Sequence, residues 1–143
     1  MRCGGGANHR LDLADAAMIE DNHLIARAGE RHPEALQMRI RELRAALPAQ
    51  AFRYVEVRSQ AELKAALSEQ LPAIQFDGFG IQALREAVKW VHDQPSPHAL
   101  LEATGSVDPA SLKVIAATGL TRISVDALTT QAPAIDMRMV LVP

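Results

Sequence analysis

At 143 residues, 48% of them hydrophobic and 22% charged, the chain has the composition of a globular protein and enough length for one core of ordinary size, so residues 1–143 read as a single domain. A net charge of −2 excludes the basic footprint of a nucleic-acid binder, and the one cysteine, Cys3, excludes an internal disulfide or a cysteine-built metal site and reads as a small buried apolar side chain. No apolar run is long enough to cross a bilayer and no signal-peptide core opens the chain, so the expected setting is cytoplasmic, without membrane or nucleic-acid partners.

The chain opens on Cys3-Gly-Gly-Gly-Ala-Asn8-His9-Arg10. Consecutive glycines permit close backbone approaches and deliver three donor side chains together, which suits an anion; the bland alternative is a flexible loop ending in a solvated turn. Ala16 to Ile19 reads as a short buried strand that runs into the polar cluster Glu20-Asp21-Asn22-His23, and residues 24–32, with Gly29, Arg31 and His32, read as a polar connection. Pro33 opens a helix with Leu36, Ile40, Leu43 and Leu47 on one face, and Pro48 stops it. Phe52, Tyr54, Val55 and Val57 predict a strand with Glu56 at its end. Ser59 followed by Glu62 is a capping-box pattern for a helix with Leu63, Ala66 and Leu67 inward.

The pattern then repeats. Residues 73–77 predict a strand ending in Asp77, and Gly78-Phe79-Gly80 turns into a helix with Ile81, Leu84, Val88 and Val91 inward. Pro95-Ser96-Pro97 is a stiff break. Residues 98–102 predict the next strand, Thr104-Gly105-Ser106 its exit loop, and Asp108-Pro109 the start of a helix closed by Gly119. Residues 122–126 are the last clear strand. Strand, loop and helix recur about every 20 to 26 residues, the spacing of βα units in a parallel sheet. The expected fold class is therefore α/β, with Glu20, Glu56, Asp77, Glu102 and Asp126 marking successive strand ends on one rim. Periodicity alone fits an open sheet as well as a barrel.

The strings G-G-G-x-N-H-R at residues 4–10 and M-I-x-D-N-H at 18–23 resemble the barrel domain of quinolinate phosphoribosyltransferase, also called nicotinate-nucleotide pyrophosphorylase (carboxylating). The similarity continues through Val55-Glu56-Val57, Phe76-Asp77, Leu101-Glu102-Ala-Thr-Gly105 and the run from Arg122 to Asp136. This implies a partial (β/α) TIM-like barrel. A complete (β/α)₈ barrel takes about 250 residues, so the chain is expected to be the C-terminal portion, lacking the family's N-terminal domain and first barrel strand.

The implied reaction takes quinolinate and phosphoribosyl pyrophosphate to nicotinate mononucleotide, pyrophosphate and carbon dioxide, in NAD biosynthesis, with Mg²⁺ on the pyrophosphate. By resemblance, Glu56 and Asp77 are the catalytic acids that meet the ribose hydroxyls and the metal, His9 and Arg10 hold the quinolinate carboxylates, and Thr104, Gly105 and Ser106 form a phosphate loop. A dimer or other homo-oligomer is implied as well. The loop at Thr104-Gly105-Ser106 stands where the family reads Ser-Gly-Gly, and four further positions depart from the family pattern: Glu20 stands for a substrate-facing lysine, Gly78 for an asparagine, Asp126 for a glycine and Thr130 for a histidine. If Glu20 met a substrate carboxylate about 4 Å away at an effective dielectric near 20, repulsion would be about 4 kcal/mol, close to a thousandfold in binding. Three readings follow: a transferase, a catalytically impaired paralogue serving binding or assembly, and a transferase with another acceptor.

Overall fold

The computed structural model describes residues 2–28, 32–48, 51–95 and 99–141. Five strands, β1 (Ala16–Ile19), β2 (Phe52–Val57), β3 (Ala73–Asp77), β4 (Leu100–Thr104) and β5 (Arg122–Ile123), pair in parallel in the order β1-β2-β3-β4-β5. This order resolves what periodicity left open. A doubly wound sheet reverses direction at a switch point and covers both faces with helices, whereas strictly sequential order with right-handed crossovers puts every helix on one face. The molecule is an arc of a βα barrel, and among the described residues β1 and β5 each have one unpaired edge.

Strand side chains alternate between the two faces. Val55, Val57, Ile74, Phe76 and Leu101, each at most 1% exposed, point outward. They pack under α2 (Pro33–Ala46), α3 (Gln60–Ser68), α4 (Ile81–His92) and α5 (Pro109–Ala116) through Leu36, Ile40, Leu63, Leu84, Val88, Val91 and Ile115. The inner face is graded. Its lower layer is apolar, made by Ala16, Tyr54 and Ala73 with Met18 and Leu100. Two residues further along each strand, Glu56, Gln75, Glu102 and Arg122 stand in one register row. Glu20 follows Ile19, the partner of Val55, and so extends that row. Above it Asp77 aligns with Thr104.

Several local expectations change. Residues 24–28 are not a polar connection but belong to α1 (Asp21–Ala28), with residues 29–31 outside the described set. Asp21 sits at the positive end of the helix dipole, the Nδ1 of His23 accepts the Glu20 N–H at 3.1 Å, and Leu24, 1% exposed, anchors the first turn in the core. Strand β4 lies two residues later than expected, making Thr104 its last residue and Glu102 mid-strand; His98 is outside the described residues. At the sheet edge β5 ends at Ile123, and Asp126 instead precedes the short helix α6 (Ala127–Thr130). Cys3 is exposed rather than buried, lying in a short 3-10 turn at Arg2–Gly4 ahead of the glycine loop.

The caps explain where the helices begin. Ser59 Oγ accepts the Glu62 N–H at 3.2 Å, but the Glu62 carboxylate returns to the N–H of Arg58, at 2.7 Å, rather than to that of Ser59. Asp108 and Ser111 form a reciprocal capping box on α5, which Gly119 follows with φ +91, a conformation that favours glycine.

Ile74 lies at the centre of the sheet with no exposed surface, whereas Leu141 is 88% exposed. Ile74→Ala is expected to cost about 2–5 kcal/mol and Leu141→Ala no more than about 0.5 kcal/mol, read as shifts of the urea midpoint at constant slope. Equal effects at the two positions would contradict this placement of the core.

Candidate active site

The polar rows at the carboxyl ends of the strands form two centres. The first is built on Arg58, the residue after β2, on the same face as Tyr54 and Glu56 by strand alternation. Its Nη1 lies 2.9 Å from Asp21 Oδ2, its Nη2 2.6 Å from Asp77 Oδ2, and its Nε 2.7 Å from the same Asp77 oxygen and 3.3 Å from Glu56 Oε1. One guanidinium thus spans acids from the start of α1, β2 and β3. Desolvation works against its charge, but the Asp77 hydrogen bond and the fields of Asp77, Asp21 and Glu56 outweigh it and raise its pKa above the usual arginine value.

The second centre is a cavity of about 420 Å³ whose wall includes Asn8, His9, Arg10, Glu102, Arg122 and Asp126. The glycine loop brings the first three across the open end of the barrel arc. Arg10 Nη1 donates to the carbonyl of Ala16 at 3.2 Å, tying the loop to β1. Glu102, only 2% exposed, accepts from Gln75 Nε2 at 2.7 Å, and His9 Nε2 lies 3.2 Å from the same carboxylate oxygen. The His9 ring lies against Tyr54, tilted by 36° with centroids 4.6 Å apart, and the Tyr54 hydroxyl accepts from Arg122 Nη1 at 3.2 Å. Two arginines and an imidazole therefore converge on a cavity whose floor carries one buried, hydrogen-bonded carboxylate. Such a wall can hold an anion with bidentate geometry.

The model of the family described as "Quinolinate phosphoribosyl transferase, C-terminal domain" matches residues 1–140. The chain belongs to that family. It is 37% identical to a probable carboxylating nicotinate-nucleotide pyrophosphorylase of Synechocystis over 99% of this chain and 45% of the relative. It is 36% identical to the carboxylating nicotinate-nucleotide pyrophosphorylase of Mycobacterium leprae over 96% of this chain and 45% of the relative. The solved nicotinate-nucleotide pyrophosphorylase of Francisella tularensis superposes with a TM-score of 0.79 at 30% identity, over 94% of this chain and 44% of that one. The chain thus spans about half the length of the relatives it matches.

In this quinolinate phosphoribosyl transferase domain the expected site residues fall into separate groups. His9, Arg10 and Asp126 share the cavity. Glu56 and Asp77 are brought together, but by Arg58. Glu56 is not a solvated strand end, being inside β2 and buried. Glu20 is not among the cavity's lining residues. Thr104 ends β4 and Gly105 and Ser106 follow it at the rim, with Gly105 at φ +128, all three outside the cavity wall. Thr130 donates its hydroxyl to the Asp126 carbonyl at 3.0 Å, while its neighbour Thr129 lines the cavity. Among the described residues no three or more His, Cys, Asp or Glu side chains converge as a metal-binding group. The acids implied to meet Mg²⁺ are aimed at the guanidinium instead, so this arrangement does not fit a metal held by Glu56 and Asp77.

Sequence reasoning missed Arg58, Arg122 and the depth of Glu102. The signal was the alternation Tyr54-x-Glu56-x-Arg58, which places all three on the inner face.

Tyr54 is the only tyrosine, so its ionisation is directly readable. Desolvation, and then the charge of Glu102, raise its pKa, with Arg122 and Arg10 opposing. A raised folded pKa means a contribution to stability that is complete below the unfolded value, about 10, and lost as pH rises through the folded one. An ultraviolet titration should show the phenolate forming at higher pH in the folded chain than in urea, and still higher in Arg122→Ala. Coincident folded and unfolded titrations would remove Tyr54 from this buried network.

Proposed function

We propose that the chain serves the transfer of a phosphoribosyl group from phosphoribosyl pyrophosphate to quinolinate, with loss of carbon dioxide, the reaction implied by the family and by the names of its relatives. The observation that carries this reading is the convergence of His9, Arg10 and Arg122 on one cavity at the carboxyl rim. Quinolinate is a dicarboxylate, and two arginine forks with an imidazole supply donors suited to carboxylates. Glycosyl transfer develops positive charge on the ribose ring, and Glu102, fixed by Gln75 and close to His9, offers a preorganised carboxylate near it. Thr104, Gly105 and Ser106 remain the candidates for the phosphate. A homo-oligomer is the assembly this reading favours, because among the described residues β1 and β5 each have an unpaired edge and an exposed parallel edge associates. The working setting is the cytoplasm; no described helix is long and apolar enough to cross a membrane.

One observation favours a second reading, in which the chain binds without turnover: Arg58 engages both acids that were expected to meet the co-substrate. Turnover of quinolinate separates the two readings.

Calorimetric titration with quinolinate tests the cavity. Arg10→Ala and Arg122→Ala should each weaken binding by tenfold or more, since a hydrogen bond to a charged group contributes about 1.5–3 kcal/mol. Glu20→Lys should help by less than the thousandfold that direct contact implies, because Glu20 is off the cavity wall. Binding unaffected by either arginine substitution would place quinolinate elsewhere.

A further inference from the structure

Arg58 is the cation of the strand-end acids. Its main chain is fixed from both sides. It follows β2 directly, and its N–H donates to the Glu62 carboxylate, which is 4% exposed in the first turn of α3. Only the side chain is free to choose a partner, and it reaches three acids drawn from separate elements. Nε, Nη1 and Nη2 all take part. One guanidinium thus faces three carboxylates.

We propose that Arg58 is a positioning residue that stands in place of a divalent metal among Asp21, Glu56 and Asp77, holding the three carboxylates in register and keeping divalent cations off them. Coordination chemistry and arginine geometry lead to the same conclusion. Mg²⁺ demands oxygens at about 2.0–2.1 Å in near-octahedral array, and a guanidinium lying between the carboxylates fills the space and supplies the positive charge that such a cation would need. Asp77 Oδ2 is held by both Nε and Nη2, and Glu56 Oε1 faces Nε. The guanidinium cannot lose its proton at any working pH, so only physical displacement of the side chain would open the cluster. Its planar fork also ties acids at fixed angles, which a single lysine charge does not do. The proposal rests on the functional reading only in that Glu56 and Asp77 are the acids assigned to the co-substrate; its test needs neither quinolinate nor phosphoribosyl pyrophosphate and so fails or succeeds independently.

The test measures Mn²⁺ and Mg²⁺ alone against the wild-type chain, Arg58→Gln, Arg58→Lys and Asp77→Asn, by calorimetry and thermal melting. The wild type should show no saturable divalent binding at the cluster and no rise in melting temperature with metal. Arg58→Gln removes the positive charge that Asp21, Glu56 and Asp77 share, so it should melt lower than wild type, regain stability on adding Mn²⁺, and bind Mn²⁺ at least tenfold more tightly. Arg58→Lys should keep metal out and recover part of the stability. Wild-type Mn²⁺ binding that disappears in Asp77→Asn would overturn the proposal whatever the other variants do. An Arg58→Gln chain that gains neither affinity nor stability from Mn²⁺, including one that does not fold even with metal present, would overturn it as well.

Discussion

Parallel pairing in strictly sequential order is the constraint on which the rest of this molecule depends. It sends the connecting helices α2 to α5 to one face and every strand end to one rim, so the inner face must terminate in whatever side chains the last two inward positions of each strand supply. Here those positions grade from Ala16, Tyr54 and Ala73 through Glu56, Gln75, Glu102 and Arg122 to Arg58, Asp77 and Thr104. The outer face holds the fold together through apolar burial, and the inner rim is left for chemistry. Stability and function are thereby written on alternate residues of the same strands.

The polar rows are costly to fold. A carboxylate as enclosed as Glu102 loses hydration worth several kcal/mol, and an apolar filling of the same volume would often be at least as stable. The cost is offset locally by the Gln75 amide and the nearby His9 ring. At the second centre it is offset by Arg58, whose partially exposed pairs would count for little singly but form a network through one rigid fork. The cavity is thus rich in donors and the neighbouring acid cluster carries its own counter-ion. Anion binding and acid clustering can coexist on one rim because they are kept on different strands: the glycine loop and β5 for the first, β2 and β3 with α1 for the second.

Much of this was legible in the sequence, for physical reasons that differ from residue to residue. Apolar runs such as Ala73-Ile74 and helical faces such as Leu84, Val88 and Val91 declare themselves because burial demands them. The helix from Asp21 escaped notice because a single deep anchor, Leu24, secures a segment otherwise rich in polar residues. The cavity's His9 and Arg10 were visible through family resemblance, whereas Arg122 looked like an ordinary strand start. Arg58 lay just beyond a strand end, where a charged residue reads as solvated; only three-dimensional closure of α1, β2 and β3 shows that its charge is engaged. The strand order, which decides between barrel arc and open sheet, is a property of pairing and leaves no local trace.

The central claim is that the rim's acids are served by the chain's own guanidinium. Anomalous diffraction from crystals of the chain grown with Mn²⁺ tests it most directly. The account predicts Arg58 spanning Asp21, Glu56 and Asp77 with no anomalous peak among those carboxylates. A manganese peak within coordination distance of Glu56 and Asp77, with the Arg58 side chain turned away to solvent, would contradict it.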